Sequence, residues 1–296
     1  GLTEICIPDS VTSISQRAFD NTAYYNQDRN WKQGVLYIGR HLIAANTTIS
    51  GKYTVKEGTQ IIAGGAFESC TALDQVILPD SVISISARAF YGCTDLSKIT
   101  IPESVTFIGS WAFSNCTSLT EINIPDNVTS VNSYAFEKCT ALSSVTFGQR
   151  VYTIGNNAFD GCTSLREISI PDNVRNIGSD VFRNTAYYND SSNWNGSALY
   201  TGRHLIKVQS HVTSYSVQEG TLTIAGGAFA DCSALTSVNL PEDLLYISAN
   251  AFENCASLAA IQIPESITSL NGSVFLGCTS LKNVVLHDKI TAIGAS

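Results

Sequence analysis

The segment CTSLTEINIPDNVTSVNSYAFEK, residues 116–138, is the repeating unit of this protein, because most of the 296-residue chain is a variation on it. Cysteines equivalent to Cys116 recur at intervals of 23 residues in two blocks, at positions 70, 93, 116, 139 and 162 and then 232, 255 and 278. All seven prolines occupy one position of this unit, and ten of the twelve phenylalanines occupy another. Such a fixed period is typical of a solenoid, in which each unit buries its apolar face against its neighbours.

The order of residue types within the unit predicts its local structure. Ile122 and Ile124 alternate with polar residues, as expected for a short strand with one buried face. Pro125 ends that strand, since proline cannot donate to a ladder, and the Asp and Asn that follow it favour a turn. Residues 128–131 predict a second extended segment on the opposite side of the coil. The Ala135-Phe136 pair predicts a single helical turn that places a large ring inside the coil.

These motifs identify a family resemblance that covers almost the whole chain. The pattern LxxIxI, with a polar residue eight positions after the leucine, resembles a leucine-rich repeat. More narrowly, CTSL…IxIPDxVTSI…AF resembles the BspA-like leucine-rich repeats of bacterial cell-surface proteins. The resemblance implies a mainly β repeat solenoid of 23-residue units, a curved right-handed superhelix with short strands and single helical turns. We expect one such domain over residues 1–296, with roughly 13 coils.

One feature departs from the commoner leucine-rich repeat. Val128 directly follows Asn127, so the apolar residue after the polar position comes one step earlier than in the L-x-L-x-x-N-x-L form. We therefore expect the corner geometry of the coil to differ from that form.

Two double-length modules, residues 22–69 and 185–231, break the 23-residue period. They are copies of one another, since TAYYNQDRNWKQGVLYIGRHLI at 22–43 matches TAYYNDSSNWNGSALYTGRHLI at 185–206. The LYxG and HLI pieces predict two short antiparallel strands joined by a glycine-containing turn. We expect each module to be a strand-rich coil with an additional hairpin.

Composition excludes several classes of partner. The net charge is −8 and the 17 Lys and Arg residues are scattered along the chain, whereas binding of nucleic acid or anionic lipid requires clustered basic residues. No run approaches the roughly 18 apolar residues of a membrane helix, so we expect no direct insertion of this chain into a membrane. The 44% of apolar residues is ample for a buried core.

The aligned cysteines, together with Cys6, leave three interpretations open: disulfides, metal ligands or buried thiols. Stacked coils bring neighbouring cysteines to about strand spacing, roughly 4.8 Å, which a disulfide can bridge. A ladder of identical positions is, however, what buried packing produces, and a buried free cysteine behaves as a small apolar residue. Because no CxxC or His-x₃-His motif accompanies the cysteines, we favour buried thiols and expect no metal site.

The sequence contains no pattern typical of an enzyme. The four histidines have no nucleophile or carboxylate at a diagnostic spacing, so we interpret them as surface or edge residues; they are 41, 204, 211 and 287. No nucleophile elbow, phosphate-binding loop, dinucleotide fingerprint or HExxH motif is present. We therefore expect no catalytic, cofactor-binding or metal-binding residue.

Clusters of tyrosine and tryptophan in the two modules form the first candidate binding site. Tyrosine and tryptophan supply rigid amphipathic area for contact with protein or glycan. In the alternative interpretation, the rings pack over the apolar edge of a coil that the insertion has opened. The two clusters are Tyr24, Tyr25, Trp31 and Tyr37 in the first module and Tyr187, Tyr188, Trp194 and Tyr200 in the second.

A row of polar residues at the centre of the predicted strands forms the second candidate site. The resemblance to leucine-rich repeats implies that partners dock on this face, and the curvature of a solenoid favours it. In the alternative interpretation, small polar residues keep the sheet soluble. The row comprises Thr100, Asn123, Thr146 and Ser169 in the first block and Asn239 and Gln262 in the second.

Together these patterns predict a non-enzymatic binding or adhesion module. We expect it to recognise a host protein, another cell surface or a glycan through its concave face and its aromatic modules. The alternative is a structural stalk or spacer that presents another domain. The chain starts at Gly1 and ends inside a repeat, so we interpret it as a fragment of a longer protein that is secreted or attached to a cell surface.

Overall fold

The computed structural model describes residues 2–295 and shows a β-solenoid with a spacing of 23 residues between coils. The chain forms two compact units. The first unit comprises Gly1–Val151 with the segments Ala158–Glu167 and Phe182–Ala186. The second unit comprises Tyr152–Asn157, Ile168–Val181 and Tyr187–Ser296.

The coils of the first unit contribute strands to two parallel ladders, as the sequence predicts. The A ladder consists of the strands at the repeat position of the I-x-I step, which form one sheet of three strands and one of two: Gly51–Thr54, Leu73–Ile77 and Lys98–Thr100, then Glu121–Ile124 and Ser144–Phe147. The B ladder consists of two-residue strands that follow the proline turn: Ile61–Ile62, Ser84–Ile85, Phe107–Ile108 and Ser130–Val131. Residues that pair between neighbouring strands are one repeat apart in the sequence, as Glu121 and Ser144 are.

The second unit has the same two kinds of strand. Its A-ladder strands are Ser214–Ser216, Ser237–Asn239, Ala260–Gln262 and Asn283–Val285. Its B-ladder strands are Thr153–Ile154, Asn176–Ile177, Thr223–Ile224, Tyr246–Ile247, Ser269–Leu270 and Ala292–Ile293. Residues 2–30 and 155–175 contain no strand in the described structure, although Ile5–Ile7 and Ile168–Ile170 carry the I-x-I pattern.

Stacked phenylalanines form the core between the ladders. The rings of Phe113 and Phe136 lie parallel, with centroids 5.3 Å apart, and both side chains are fully buried. In several coils the backbone amide of this phenylalanine donates to the alanine carbonyl oxygen of the next coil, as Phe113 does to Ala135 at 2.8 Å. The Ala-Phe position therefore joins neighbouring coils both by ring stacking and by a backbone hydrogen bond.

The chain around each phenylalanine forms a run of tight turns where the sequence predicts a helical turn. Tyr134 and Lys138 have φ values of 62° and 57°, which interrupt helical geometry on both sides of Phe136. Left-handed conformations cost non-glycine residues about 1–2 kcal/mol each, so the buried ring between them must hold the corner. Helix is confined among the described residues to Ala186–Asn189, with 3₁₀ turns at Asp28–Asn30 and Ser191–Asn193.

The aligned cysteines carry free thiols, buried in the core except at the half-buried Cys278, whereas Cys6 is exposed. The side chain of Cys116 donates to the Phe90 carbonyl oxygen at 3.1 Å, and Cys139 donates to that of Phe113 at 3.2 Å. A thiol is a weak hydrogen-bond donor of apolar character, so it fits a buried position beside one carbonyl oxygen. Burial raises the pKa of Cys70 to about 12. Seven of the eight aligned cysteines are buried, as the packing interpretation predicts.

Each double-length module consists of one regular coil and a three-stranded antiparallel insert. The first insert comprises Trp31–Lys32, Val35–Ile38 and His41–Ala45, and the second comprises Trp194–Asn195, Ala198–Thr201 and His204–Val208. Sequence predicts two of the three strands in each. Because each module holds one coil rather than two, the chain has about 11 coils in place of the expected 13.

The last strand of each insert extends a B ladder. His41 and Leu42 pair in parallel with Ile61 and Ile62, and His204 and Leu205 pair in the same way with Thr223 and Ile224. The following coil also reaches the coil that precedes the insert, since the Gly64 amide donates to the Ile14 carbonyl oxygen at 2.7 Å. A Cβ atom at Gly64 would lie 2.5 Å from the Gln16 backbone nitrogen, so only glycine permits this approach.

Candidate functional site

The polar row predicted from the sequence lies on the exposed face of the A ladders. Thr100, Asn123 and Thr146 are exposed residues on strands of the first unit, and Asn239 and Gln262 hold the same position in the second. Ser169 is also exposed but lies outside the strands. The structure therefore brings together Thr100, Asn123 and Thr146 in the first unit, and Asn239 and Gln262 in the second.

Neighbouring members of the row hydrogen-bond to one another. The Thr146 hydroxyl donates to the Asn123 side-chain oxygen, and the Asn239 side-chain nitrogen donates to the Ser216 hydroxyl at 3.2 Å. These bonds link neighbouring coils on the exposed face.

Two apolar residues at the same repeat position were not identified from the sequence. Ile77 pairs with Thr100 and is 38% exposed, and Val285 pairs with Gln262 and is 55% exposed. An alignment of every coil on its I-x-I step would have identified both residues from the sequence.

A second exposed row runs beside the first and carries charge, with Lys98 and Glu121 among its members.

The aromatic cluster of the first insert is held by internal hydrogen bonds. Trp31 Nε1 donates to the Tyr25 carbonyl oxygen at 2.8 Å, and the two rings meet edge to face with centroids 5.2 Å apart. The Tyr24 hydroxyl donates to the Tyr37 carbonyl oxygen at 3.3 Å. The Tyr37 hydroxyl lies 3.1 Å from that of Tyr53 and accepts from a backbone amide.

The second insert repeats this arrangement. Trp194 Nε1 donates to the Tyr188 carbonyl oxygen at 2.8 Å, with ring centroids 5.5 Å apart, and the Tyr187 hydroxyl donates to the Tyr200 carbonyl oxygen at 2.6 Å. The Tyr200 hydroxyl lies 3.3 Å from that of Tyr215. All eight predicted rings are half-buried. The hydroxyl pairs Tyr37–Tyr53 and Tyr200–Tyr215 link each insert to its coil, and a binding role stays a prediction.

Tyr53 and Tyr215 complete the two clusters and were not identified from the sequence. Burial raises the pKa of both phenols above the usual tyrosine range, and the hydrogen bond to the neighbouring tyrosine adds to the shift. Each ring also packs against the phenylalanine core, as Tyr53 does on Phe67 with centroids 5.6 Å apart. The sequence feature that could have identified them is that each begins one of the two similar segments YTVKEG and YSVQEG.

The histidines of the inserts are buried, which corrects the expectation that they are surface or edge residues. His41 and His204 have no exposed surface, because each lies between its insert and the next B-ladder strand. Neither ring nitrogen of His41 has a hydrogen-bond partner, and His204 Nε2 lies 3.2 Å from the Pro171 carbonyl oxygen. Burial lowers the pKa of both imidazoles, opposed in part by Asp9 and Asp172.

An arginine beside each buried histidine joins the insert to a proline turn. Arg40 lies 3.4 Å from Asp9, and Arg203 lies 3.7 Å from Asp172 and 3.9 Å from Asp243. All are solvent-exposed ion pairs, which typically contribute about 0–1 kcal/mol to folding stability.

Among residues 2–295, no three His, Cys, Asp or Glu side chains are grouped to hold a metal ion. In the same range, no helix has the length and apolar character needed to cross a membrane.

The comparison with known protein families identifies the repeat. The family profile described as "BspA type Leucine rich repeat region" matches in six copies, which cover residues 1–93, 60–189 and 207–296. No sequence among the curated proteins matches the chain.

Solved structures of bacterial leucine-rich repeat proteins are similar to this chain. A leucine-rich repeat protein from Bacteroides ovatus is 24% identical over 89% of this chain and 82% of its own, with a TM-score of 0.35. A leucine rich cell surface protein from Faecalibacterium prausnitzii is 27% identical over 80% of this chain and 59% of its own, with a TM-score of 0.33. The leucine-rich repeat protein of T. pallidum is 26% identical over 59% of this chain and 72% of its own, with a TM-score of 0.29.

Proposed function

Because this chain belongs to the family of BspA-type leucine-rich repeat proteins, we propose that it is a non-enzymatic binding module that acts at an outer cell surface. One similar protein of solved structure is described as a cell-surface protein. The residues available for function are those that stacking leaves exposed, and in the regular coils these include the two adjacent rows of the A ladders.

The exposed face of the A ladders is the observation that supports this proposal. Its side chains stand on strands whose opposite face is packed into the core, as the alternation of exposed Asn123 with buried Ile122 and Ile124 shows. The face is mostly polar, with an exposed apolar residue at Ile77 and charges of both signs at Lys98 and Glu121. Small polar residues around an apolar anchor suit a protein partner.

A matched pair of substitutions in one coil tests this proposal. Asn123 and Thr129 are both exposed, the first on the A ladder and the second beside the B ladder. Binding to a panel of purified extracellular-matrix proteins, measured by surface plasmon resonance, should fall by about tenfold or more in Asn123→Arg if the face is an interface. Thr129→Arg adds the same side chain elsewhere and should bind as the unaltered protein does. Equal binding by both variants would place the interface elsewhere.

A stalk or spacer is the alternative function, and the hydrogen bonds within the row favour it. Side chains such as Thr146 and Asn123 partly satisfy each other and so leave fewer groups for a partner. A spacer has no saturable partner on the matrix panel, and presentation of a fused reporter domain on cells should survive Asn123→Arg. Saturable binding of the unaltered chain to the matrix panel, lost in Asn123→Arg, supports the binding module, and absence of any saturable binding supports the spacer.

A further inference from the structure

A cleft of about 470 Å³ lies beside the second insert. Its volume is within the range of small-ligand sites, about 300–1,000 Å³. Aromatic side chains line one part of it, and polar and charged side chains line another. The lining residues that carry the argument are Tyr188, Trp194, Lys207, Gln209, His211 and Asp231.

The aromatic part of the cleft is rigid. Trp194 and Tyr188 meet edge to face at 5.5 Å, and the Trp194 indole is fixed by its hydrogen bond to the Tyr188 carbonyl oxygen. Both rings are half-buried, so part of each ring surface faces the cleft. A ligand that packs on these rings would meet apolar area that is already in place.

The polar part is also ordered and contains donors and acceptors. Lys207 Nζ donates to the Gly227 carbonyl oxygen at 2.7 Å, and one carboxylate oxygen of Asp231 accepts from the Asn254 side chain at 2.9 Å. His211 and Gln209 are exposed at the cleft. Ammonium, imidazole, amide and carboxylate groups together can both donate to and accept from a set of hydroxyl groups.

The first insert shows that the fold does not require these polar groups. It has the same tyrosine and tryptophan pair and the same strands, yet Ala44, Thr48 and Ser69 stand where the second has Lys207, His211 and Asp231. The two copies of the duplicated element therefore differ in charge at these three positions, and only the second combines the aromatic pair with charged groups there.

We propose that this cleft binds one pyranose unit of a glycan. A pyranose has an apolar face of C–H groups that can pack on the Trp194 and Tyr188 rings, and hydroxyls around its edge that match the mixed polar groups opposite. The cleft includes none of the residues of the exposed A-ladder rows. The site is thus separate from the protein-binding face, and either one can exist without the other.

Titration with simple sugars tests the site. Methyl β-D-glucopyranoside, N-acetyl-D-glucosamine and N-acetylneuraminic acid sample neutral, acetamido and acidic pyranoses, and saturation-transfer NMR with calorimetry detects weak binding. We expect at least one of the three to bind saturably to the full chain. Absence of saturable binding of all three, or binding of an unstructured peptide in their place, would overturn the proposal.

Substitutions copied from the first insert locate the site without loss of fold. The triple variant Lys207→Ala, His211→Thr, Asp231→Ser introduces residues that the same element already contains in its other copy. It should weaken sugar binding by about tenfold or more while thermal stability stays close to that of the unaltered chain.

Paired tryptophan variants provide the control. Trp194→Phe should weaken sugar binding, whereas Trp31→Phe in the first insert should not. Equal effects of the two, or full binding by the triple variant, would show that the cleft is not the site. Failure here would leave the Asn123→Arg result unaffected, so the two proposals are separable.

Discussion

A single residue position explains why cysteine recurs through the chain. The cysteine follows the buried phenylalanine by three residues, and its thiol donates to the carbonyl oxygen of the phenylalanine one coil earlier, as Cys116 does to Phe90. Alanine at this position would leave that oxygen with one partner fewer, and a larger residue would not fit a fully buried site. The cysteine ladder is thus explained by packing and hydrogen bonding without redox chemistry.

Thiol accessibility provides a direct test. In native protein at pH 8, a thiol reagent should label Cys6 rapidly and Cys278 more slowly, because these are the exposed and the half-buried cysteines. The other seven are buried, and burial raises the pKa of residues such as Cys116 well above the usual thiol range, so little reactive thiolate forms. All nine should react in denaturant without a reductant. Fewer than nine would reveal a disulfide.

The phenylalanine ladder should dominate stability at the residue scale. Phe136 stacks between Phe113 and Phe159 and is fully buried. Phe136→Ala should lower the free energy of unfolding by about 3–5 kcal/mol, measured by urea denaturation. Asn123→Ala in the same coil is the control and should change it by about 0.5 kcal/mol or less. A similar loss in both variants would contradict the assignment of the core.

At the level of elements, the buried histidines of the two inserts make the folding stability depend on pH. The unfolded chain has ordinary histidine pKa values near 6.5, whereas burial lowers the pKa of His41 and His204 in the fold. As pH falls through 6.5, the unfolded chain takes up protons that the folded chain does not, so folding stability falls. Asp9 and Asp172 oppose this effect, and Arg40 and Arg203 add to it.

Thermal unfolding from pH 8 to pH 5 measures this coupling. The melting temperature should fall below pH 6.5 in the unaltered chain and fall less in the double variant His41→Leu, His204→Leu. His211→Leu alters an exposed histidine and should keep the original pH dependence. A pH profile that is the same in all three proteins would assign the dependence to other groups.

Sequence predicted the regular coil better than the inserts, for a physical reason. In the regular coil each apolar residue of the unit at 116–138 packs against the residues at the same repeat position in the coils before and after it. The repeat pattern is therefore enough to predict these contacts. In the inserts the decisive contacts are non-repeating. The burial of His41 and the pairing of the Tyr37 and Tyr53 hydroxyls depend on which strand the insert joins, and no local pattern states that.

Of the two candidate sites, one could be predicted from the sequence and the other could not. Exposure of Asn123 and its row follows from alternation along a strand and could be predicted from sequence. The cleft at Trp194 could not, because it requires Lys207 from the last insert strand and Asp231 from the next corner to converge. A comparison of the two inserts residue by residue would have marked the difference at these positions.

At the scale of the molecule, a solenoid should tolerate removal of a whole repeat. Deletion of residues 116–138 joins Asn115 to Cys139 and preserves the register, because ladder partners are one repeat apart. The variant should give the same type of circular dichroism spectrum, with a denaturant m-value lowered in proportion to the surface of one coil. Deletion of residues 116–127 alone shifts every later position and should unfold the neighbouring coils. Equal behaviour of the two deletions would contradict register as the organising rule.

The hydrogen bonds at the Ala-Phe corners also bear on how the first unit responds to force. The bond from Phe113 to Ala135 and its equivalents each connect one coil to the next. A pull along the stack loads these connections in series, so coils should peel off one at a time instead of the whole unit rupturing together. Each peeled coil releases about 75 Å of chain, from roughly 3.3 Å per extended residue. A protein tethered at a surface under flow would gain length in steps and limit the tension on whatever it holds.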